Sequence, residues 1–129
     1  MTEMTLKKRP KNLDLATINL PLPGKVSILH RVSGVGLFLC LPVLLCLFQA
    51  SVSSADAFLG FQTALAHPLL KFLLMGLVWA YLHHFCAGIR FLLLDVHVGL
   101  DLPVARKSSA LVLLVSLTLT VVLWGVLIW

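Results

Sequence analysis

Charged residues are scarce in this chain, and acidic residues are scarcer still. Of its 129 residues only 12% are charged, and ten Lys and Arg stand against five Asp and Glu. Soluble domains average about 25% charged residues, so this composition excludes an ordinary soluble domain. Because 60% of the residues are hydrophobic and mean hydropathy is +1.03, the sequence predicts an all-α membrane protein with a single domain, residues 1–129.

Other absences exclude further classes of protein. The three cysteines, Cys40, Cys46 and Cys86, lack CxxC spacing, so the sequence has no signature of a zinc ribbon or a redox dithiol. The basic residues do not spread over a soluble face, which argues against nucleic acid as a partner. The spans described below carry one cluster of ionisable groups, toward one side, and this leaves no continuous polar path for a channel or transporter.

Three apolar runs are each close to the ~20 residues needed to cross the hydrocarbon core of a membrane. They cover residues 26–48, 69–94 and 110–129. We therefore expect three transmembrane helices joined by two connecting segments.

Lysine and arginine are distributed unequally among the segments outside these spans. Five lie in residues 1–25, none lies in 49–68, and two lie in 95–109. By the positive-inside rule the N-terminal tail and the second connection are cytoplasmic, and the C-terminus lies on the opposite side. Trp124 and Trp129 are then expected near the outer interface, where amphipathic aromatic rings are favoured.

The outer connection, residues 49–68, contains a short apolar pattern. Phe58, Phe61 and Leu65 recur at spacings of three and four residues, which predicts a short helix lying in the membrane interface. Ser54 or Asp56 is expected to cap its N-terminus.

Two histidines and an arginine, His83, His84 and Arg90, lie within the second span. His84 shares a helix face with Gly88, and a small residue one turn away gives a flat macrocycle room to approach. Imidazole is a common axial ligand of haem iron, so His84 is a candidate ligand. Alternatively, these side chains only hydrogen-bond neighbouring helices and hold the bundle together.

Depth bears on any partner of His84. Counted from Asp95 at 1.5 Å per residue, His84 lies roughly 16 Å inside the membrane, whereas His30 lies only about 6 Å inside if its helix starts at Val26. This difference predicts that the two histidines do not ligate one iron. A second axial ligand would then come from another chain.

The first span begins with Ser27 and Arg31, which share a face with Gly34. A hydroxyl and a permanently charged guanidinium directed at one spot suit a ligand whose carbonyl oxygens become negatively charged. Alternatively, Arg31 reaches out to lipid phosphates. Asp95, near the cytoplasmic ends of the spans, either carries protons toward this site or caps the loop.

Three blocks of sequence carry a resemblance to a known family. They are RPKNLDL at residues 9–15, SILHRVSG at residues 27–34, and HFCAGIR at residues 84–90 followed by Asp95. In this order they resemble the cytochrome b556 subunit of succinate dehydrogenase, the larger membrane anchor of respiratory complex II. Where members of that family often carry a further histidine after the third block, this chain has Phe91.

The resemblance implies a fold and a set of residue roles. Three transmembrane helices would form part of a haem-binding bundle with a second anchor subunit. His84 would be the axial ligand to the iron of haem b, with the other ligand supplied by that subunit. Ser27 and Arg31 would line a ubiquinone site, and His30 and Arg31 would lie near the haem propionates. Asp95 or water would supply protons.

The resemblance also implies partners and a location. The chain would assemble with a flavoprotein subunit, an iron–sulfur subunit and a smaller haem-ligating anchor in the bacterial inner membrane, or alternatively in the mitochondrial inner membrane. It would take part in succinate:quinone oxidoreductase without a succinate site of its own. The alternatives are the anchor of a quinol:fumarate reductase and a haem-free structural anchor.

Overall fold

The computed structural model describes residues 18–127, with side chains as far as Val126. Four helices account for most of this part of the chain: α1 (Leu22–Ser53), α2 (Ala55–Ala66), α3 (Pro68–Asp95) and α4 (Leu102–Leu127). No strand occurs in residues 18–127, so the all-α prediction is confirmed. The sequence block at 9–15 and Trp129 lie outside the described residues.

Three of the helices are long and apolar enough to cross a membrane. They are α1, α3 and α4, which contain 32, 28 and 26 residues. The first is longer at both ends than its apolar run, because the helix starts at Leu22 with a proline in its first turn. Proline there loses no hydrogen bond and its fixed φ suits the helix. The helix then continues through Pro42 to Ser53.

The connection between α3 and α4 is shorter than expected. α4 begins at Leu102 rather than near residue 110, so Arg106 and Lys107 lie inside the helix. Hydropathy marks only the apolar part of a helix, and both side chains are good helix formers. The six residues between the helices turn sharply, with His97 and Gly99 in left-handed conformations at φ 64° and 82°.

The connection between α1 and α3 is almost entirely helical. Ser54 is the N-cap of α2, and its hydroxyl oxygen accepts a hydrogen bond from the backbone N–H of Ala57 at 3.1 Å. This confirms Ser54, rather than Asp56, as the capping residue. A second single-residue break follows at His67, whose Nδ1 accepts from the N–H of Leu69 at 3.2 Å and caps α3.

α3 packs against both α1 and α4, and α1 also contacts α2 and α4. The interior of this bundle is small and unusually polar. Its buried apolar side chains are those of Val26, Ala87 and Val112. Buried polar or charged side chains also include His83, Arg90, Ser109, Ser116 and Thr120. The large apolar side chains face outward along every helix, as expected of a chain that contacts lipid or further membrane subunits.

Candidate functional site

α1 and α3 meet at a pair of stacked histidines. The ring centroids of His30 and His84 are 4.2 Å apart, and the ring planes differ by 7°. The ring of Phe91 lies against His30 at 5.1 Å, tilted by 54°. The prediction that the two histidines lie at different depths in the membrane is therefore wrong.

Two physical reasons account for this correction. α1 starts at Leu22 and not at Val26, so His30 lies eight residues, or about 12 Å, from the start of the helix. Long side chains then span the remaining difference from His84, about 16 Å from the end of α3. Counting residues from a hydropathy boundary misplaces a side chain by as much as the helix extends beyond that boundary.

The position of the proton on His84 follows from its hydrogen bonds. Nδ1 lies 3.0 Å from the backbone carbonyl oxygen of His30 and 3.3 Å from Oγ of Ser33. A carbonyl oxygen only accepts, so Nδ1 carries the hydrogen and donates it. Ser33 Oγ donates to the same carbonyl at 2.9 Å. In the neutral form of the ring that this bond selects, the lone pair is on Nε2.

A histidine ring held in this way can bind a metal through Nε2. Histidines that ligate metals commonly donate their other ring N–H to a backbone carbonyl or a carboxylate, which fixes the ring and its tautomer. His84 is only partly buried, and no hydrogen bond to Nε2 is made by any residue between 18 and 127. One nitrogen donor is thus available at the surface between α1 and α3.

The stacked arrangement decides which histidines can share an iron. Two axial imidazoles bind from opposite faces of the macrocycle, each presenting a nitrogen to the metal. His30 instead lies face to face with His84 at 4.2 Å, which leaves no space for a macrocycle between the rings. His83 is fully buried. His30 and His84 are both partly buried, and of these two only His84 has one ring nitrogen oriented by a hydrogen bond to α1.

Two glycines surround this pair of rings. A Cβ added at Gly34 would lie 2.8 Å from Cε1 and 3.2 Å from Nδ1 of His84, closer than real contacts allow. A Cβ added at Gly88 would lie 3.6 Å from Nε2 of His30, an ordinary van der Waals contact. Gly34 is thus required by the approach of His84, whereas the space beside Gly88 is already bordered by His30.

Ser27 and Arg31 lie one turn apart near the start of α1. Ser27 is partly buried and Arg31 is exposed. Among the described residues, neither side chain makes a hydrogen bond or an ion pair. Asp95 is the last residue of α3 and is also exposed, and no contact within the described part joins it to either side chain. The structure brings His30 and His84 together but leaves Ser27, Arg31 and Asp95 open to other groups.

Arg90 is buried between α3 and α4, with 7% of its surface exposed. Its Nε donates to Oγ of Ser108 at 2.9 Å, and one terminal nitrogen donates to the carbonyl of Ala105 at 3.4 Å. The guanidinium carbon lies 5.3 Å from the ring centroid of Phe91. The other terminal nitrogen is buried as well, and no group in residues 18–127 accepts a hydrogen bond from it. Arg90 therefore ties α3 to the start of α4.

An apolar groove of about 560 Å³ runs between α1 and α3. Ser33 lies in its wall, together with the small residues Gly36, Gly76 and Ala80. Trp79 lines the same groove. The groove therefore provides an apolar surface next to the serine that contacts His84.

The sequence did not indicate the roles of Ser33, Gly34 or Ser108. Ser33 was visible only as part of a motif, Gly34 only as a small residue on the face of Ser27 and Arg31, and Ser108 only as a polar residue before the third span. The signal that could have found them is the need of buried polar groups for partners, since His84 and Arg90 each require an acceptor from a neighbouring helix.

Comparisons with known proteins identify the family of this chain. The family model of the succinate dehydrogenase/fumarate reductase transmembrane subunit matches residues 5–123. The succinate dehydrogenase cytochrome b556 subunit of Coxiella burnetii is 38% identical over 123 residues, covering 95% of this chain and 98% of the relative. The subunits of the same name from Paracoccus denitrificans and Rickettsia felis are 31% and 30% identical over 121 and 118 residues. These matches cover 94% and 91% of this chain and 93% and 91% of the relatives. The chain therefore belongs to the family of succinate dehydrogenase/fumarate reductase transmembrane subunits.

Proposed function

We propose that this chain is the larger membrane anchor of a succinate:quinone oxidoreductase, that it binds haem b through His84, and that it forms part of the ubiquinone-reduction site. One observation carries the haem assignment: Nδ1 of His84 donates to the carbonyl of His30 at 3.0 Å, which leaves Nε2 for an iron. The cytochrome b556 subunits named among its relatives support this assignment.

The residues around His84 fit a haem. Gly34 lets the imidazole pack against α1, and the adjoining groove is apolar, as the face of a macrocycle requires. His30 and Arg31 are the groups of this chain suited to the haem propionates. When bound, haem b supplies a one-electron redox centre whose potential responds to the hydrogen bond on its ligand.

The second axial ligand is expected from the smaller anchor subunit. His30 is stacked on His84 and His83 is enclosed, so neither is suited to the opposite face of the same macrocycle. A six-coordinate haem would therefore join two chains. This sharing explains why so many apolar side chains face outward in the isolated chain.

The quinone site in this proposal is built on Ser27 and Arg31. Succinate oxidation in the flavoprotein subunit releases two electrons and two protons, and the electrons reach the quinone through the iron–sulfur subunit. Ser27 would donate a hydrogen bond to a quinone oxygen, and Arg31 would stabilise the negative charge that develops there. Two protons, delivered by water or by Asp95, would complete the quinol.

The location follows from the same assembly. We place the chain in a bacterial inner membrane, with its N-terminus and the connection between α3 and α4 on the cytoplasmic side. That side is where the soluble flavoprotein and iron–sulfur subunits would dock, close to Ser27 and Arg31 at the start of α1. Lipid would cover the outward apolar surface that the smaller anchor leaves open.

A reduced-minus-oxidised spectrum of the purified complex tests the haem assignment. We expect a b-type signal that is lost or strongly perturbed in His84→Ala. The matched control is His97→Asn, because His97 is exposed and has a left-handed φ of 64° that asparagine tolerates. An unaltered spectrum in His84→Ala would contradict the ligand assignment, and copurification of the other three subunits tests the assembly.

A further inference from the structure

A second cavity lies between α3 and α4 and shares no residue with the groove beside His84. Its volume is about 270 Å³. Arg90 and Ser108 are the polar residues in its wall. The remaining wall is apolar and consists of Cys86, Ile89 and Leu93 of α3 with Leu111, Val112 and Val115 of α4. We call this cavity the α3–α4 groove.

The α3–α4 groove opens on the side of α3 opposite His84. At 3.6 residues per turn, Ile89, Leu93 and Arg90 lie roughly 140°, 180° and 240° around the helix axis from His84. In the proposed assembly, a haem on His84 and the smaller anchor that ligates its other face lie on the far side of the helix. This step rests on the proposed function, and it leaves lipid as the neighbour of the groove.

The depth of the groove matches one leaflet of a bilayer. Leu93 and Cys86 lie two and nine residues before Asp95, the last residue of α3, or about 3 Å and 14 Å from that end. Ser108 lies six residues after Leu102, the first residue of α4, or about 9 Å from it. A lipid acyl chain from the leaflet next to the α3–α4 connection runs in the same direction at the same depth.

Arg90 places a positive charge in the wall of this groove. It is 7% exposed, and within residues 18–127 no acidic side chain forms an ion pair with it. The acids nearest to it in the sequence, Asp95 and Asp101, are exposed. A guanidinium stays ionised in proteins, and its charge attracts an anion more strongly at membrane depth than in water. Because the terminal nitrogen without an acceptor is enclosed, Arg90 acts on the groove through its charge and not through a direct hydrogen bond.

Lys107 adds a second cation at the rim of the groove. It is exposed and precedes Leu111 by four residues, so it lies one turn nearer the membrane surface along the same edge of α4. Its flexible stem can carry the ammonium group to the level of the lipid phosphates. Arg106 is also exposed, but it lies roughly 120–180° around α4 from every groove residue of that helix. Only one of these two neighbouring cations is therefore beside the groove.

We propose that the α3–α4 groove binds one anionic phospholipid of the leaflet next to the α3–α4 connection. One acyl chain lies against Ile89, Leu111 and Val115. The phosphate lies beside Lys107, where the charge of Arg90 also attracts it. Two cations without a paired acid in the described part of the chain favour an anionic lipid over a neutral one, as basic sites between transmembrane helices do in general.

The test uses the four-subunit complex, freed of lipid in a neutral detergent and titrated with phosphatidylglycerol. Native mass spectrometry counts the lipid molecules that each complex retains. In Lys107→Gln we expect the affinity of the most tightly held lipid to fall about fivefold, as the loss of one cation near an anionic headgroup would produce. Arg106→Gln is the matched control and should stay within about twofold of the parent.

A second pair of variants tests the acyl-chain part of the groove. Val115→Phe adds a ring at its deep end and should lower the count of tightly held lipids by one. Leu114→Phe adds the same ring at an exposed position outside the groove and should leave the count unchanged. If Val115→Phe does not assemble, the comparison of Lys107→Gln with Arg106→Gln still decides.

Several results would overturn the proposal. One is equal retention of phosphatidylcholine and phosphatidylglycerol by the parent complex, because the cations would then have no effect. Others are equal losses of affinity in Lys107→Gln and Arg106→Gln, or an unchanged count in Val115→Phe. A Val115→Phe complex that lacks the smaller anchor would also overturn it, because the groove would then be an interface between subunits.

The haem spectrum keeps this inference distinct from the proposed function. Lys107→Gln and Val115→Phe should show the parent spectrum, because the groove and His84 lie on opposite sides of α3. If His84→Ala leaves the spectrum unaltered, the haem assignment fails whatever the lipid counts are. If the lipid counts do not respond to Lys107→Gln, the lipid site fails whatever the spectrum shows.

Discussion

Gly34 and His84 oppose each other so closely that any side chain at position 34 would displace the imidazole. A Cβ there would lie 2.8 Å from Cε1 of His84. The atoms on the other side of this contact belong to a ring held by the carbonyl of His30, so the ring cannot retreat without losing its hydrogen bond. A glycine on one helix thus sets the orientation of a histidine on another.

We expect Gly34→Ala to weaken or abolish haem binding, since the methyl group must push His84 away from its carbonyl partner. The haem content per complex, measured from the reduced-minus-oxidised spectrum, should fall severalfold. Gly36→Ala is the matched control, because a Cβ at Gly36 meets nothing within 4 Å. Retention of full haem content and an unshifted spectrum in Gly34→Ala would show that His84 does not hold the iron in the described orientation.

We expect Ser27→Ala and Arg31→Gln to impair ubiquinone reduction by about tenfold or more. Each removes a hydrogen bond to the quinone, and Arg31→Gln also removes the positive charge that stabilises the reduced oxygen. Succinate oxidation with a dye acceptor should remain close to the parent value. Ser51→Ala, at the far end of the same helix and partly exposed, should change neither activity. Equal losses of quinone and dye activity would argue against a local quinone role.

We expect Ser108→Ala to destabilise the bundle by about 1–3 kcal/mol, because it leaves Nε of the buried Arg90 without its acceptor. The temperature at which the complex loses haem or dissociates should fall by several degrees. Arg106→Gln removes an exposed charge from the same turn of α4 and serves as control. If Ser108→Ala and Arg106→Gln have equally small effects, the contact between Arg90 and Ser108 does not hold the helices together.

We expect Ser54→Ala to loosen the start of α2 by about 1 kcal/mol, the usual cost of losing an N-cap side chain. Amide hydrogen exchange in residues 55–58 should accelerate about fivefold, while exchange in α3 and α4 stays unchanged. Ser51→Ala is again the control, since Ser51 bonds only to a carbonyl of its own helix. Unchanged exchange in Ser54→Ala would show that the hydroxyl does not cap α2.

The number and type of the membrane helices could be predicted from the sequence because hydropathy and length alone determine whether a helix can cross a bilayer. The ends of α3 agree with the predicted run within one residue, but the ends of α1 and the start of α4 do not. Lys25 and Arg106 both lie inside helices, since charged residues continue a helix without adding to its hydropathy. A prediction based on apolar runs therefore placed these three ends where the composition changes, and not where the hydrogen bonds end.

The candidate site was predicted residue by residue but not as an arrangement. His84 and its small neighbours were visible from their spacing, whereas the stack on His30 depends on how two helices cross. Ser33 and Gly34 of α1 matter because they lie against His84 of α3. Contacts between helices depend on which helix faces pack against each other. A single sequence contains little information about that packing.

The hydrogen bonds from Arg90 to α4 have a consequence for membrane insertion. A lone α3 in lipid would carry a guanidinium at membrane depth with no acceptor beside it, at a cost of several kcal/mol. Its hydroxyl and carbonyl acceptors come from Ser108 and Ala105, which are synthesised only after α3 is complete. The two helices therefore reach a low free energy in the bilayer as a hairpin, and membrane integration of α3 depends on a segment that leaves the ribosome later.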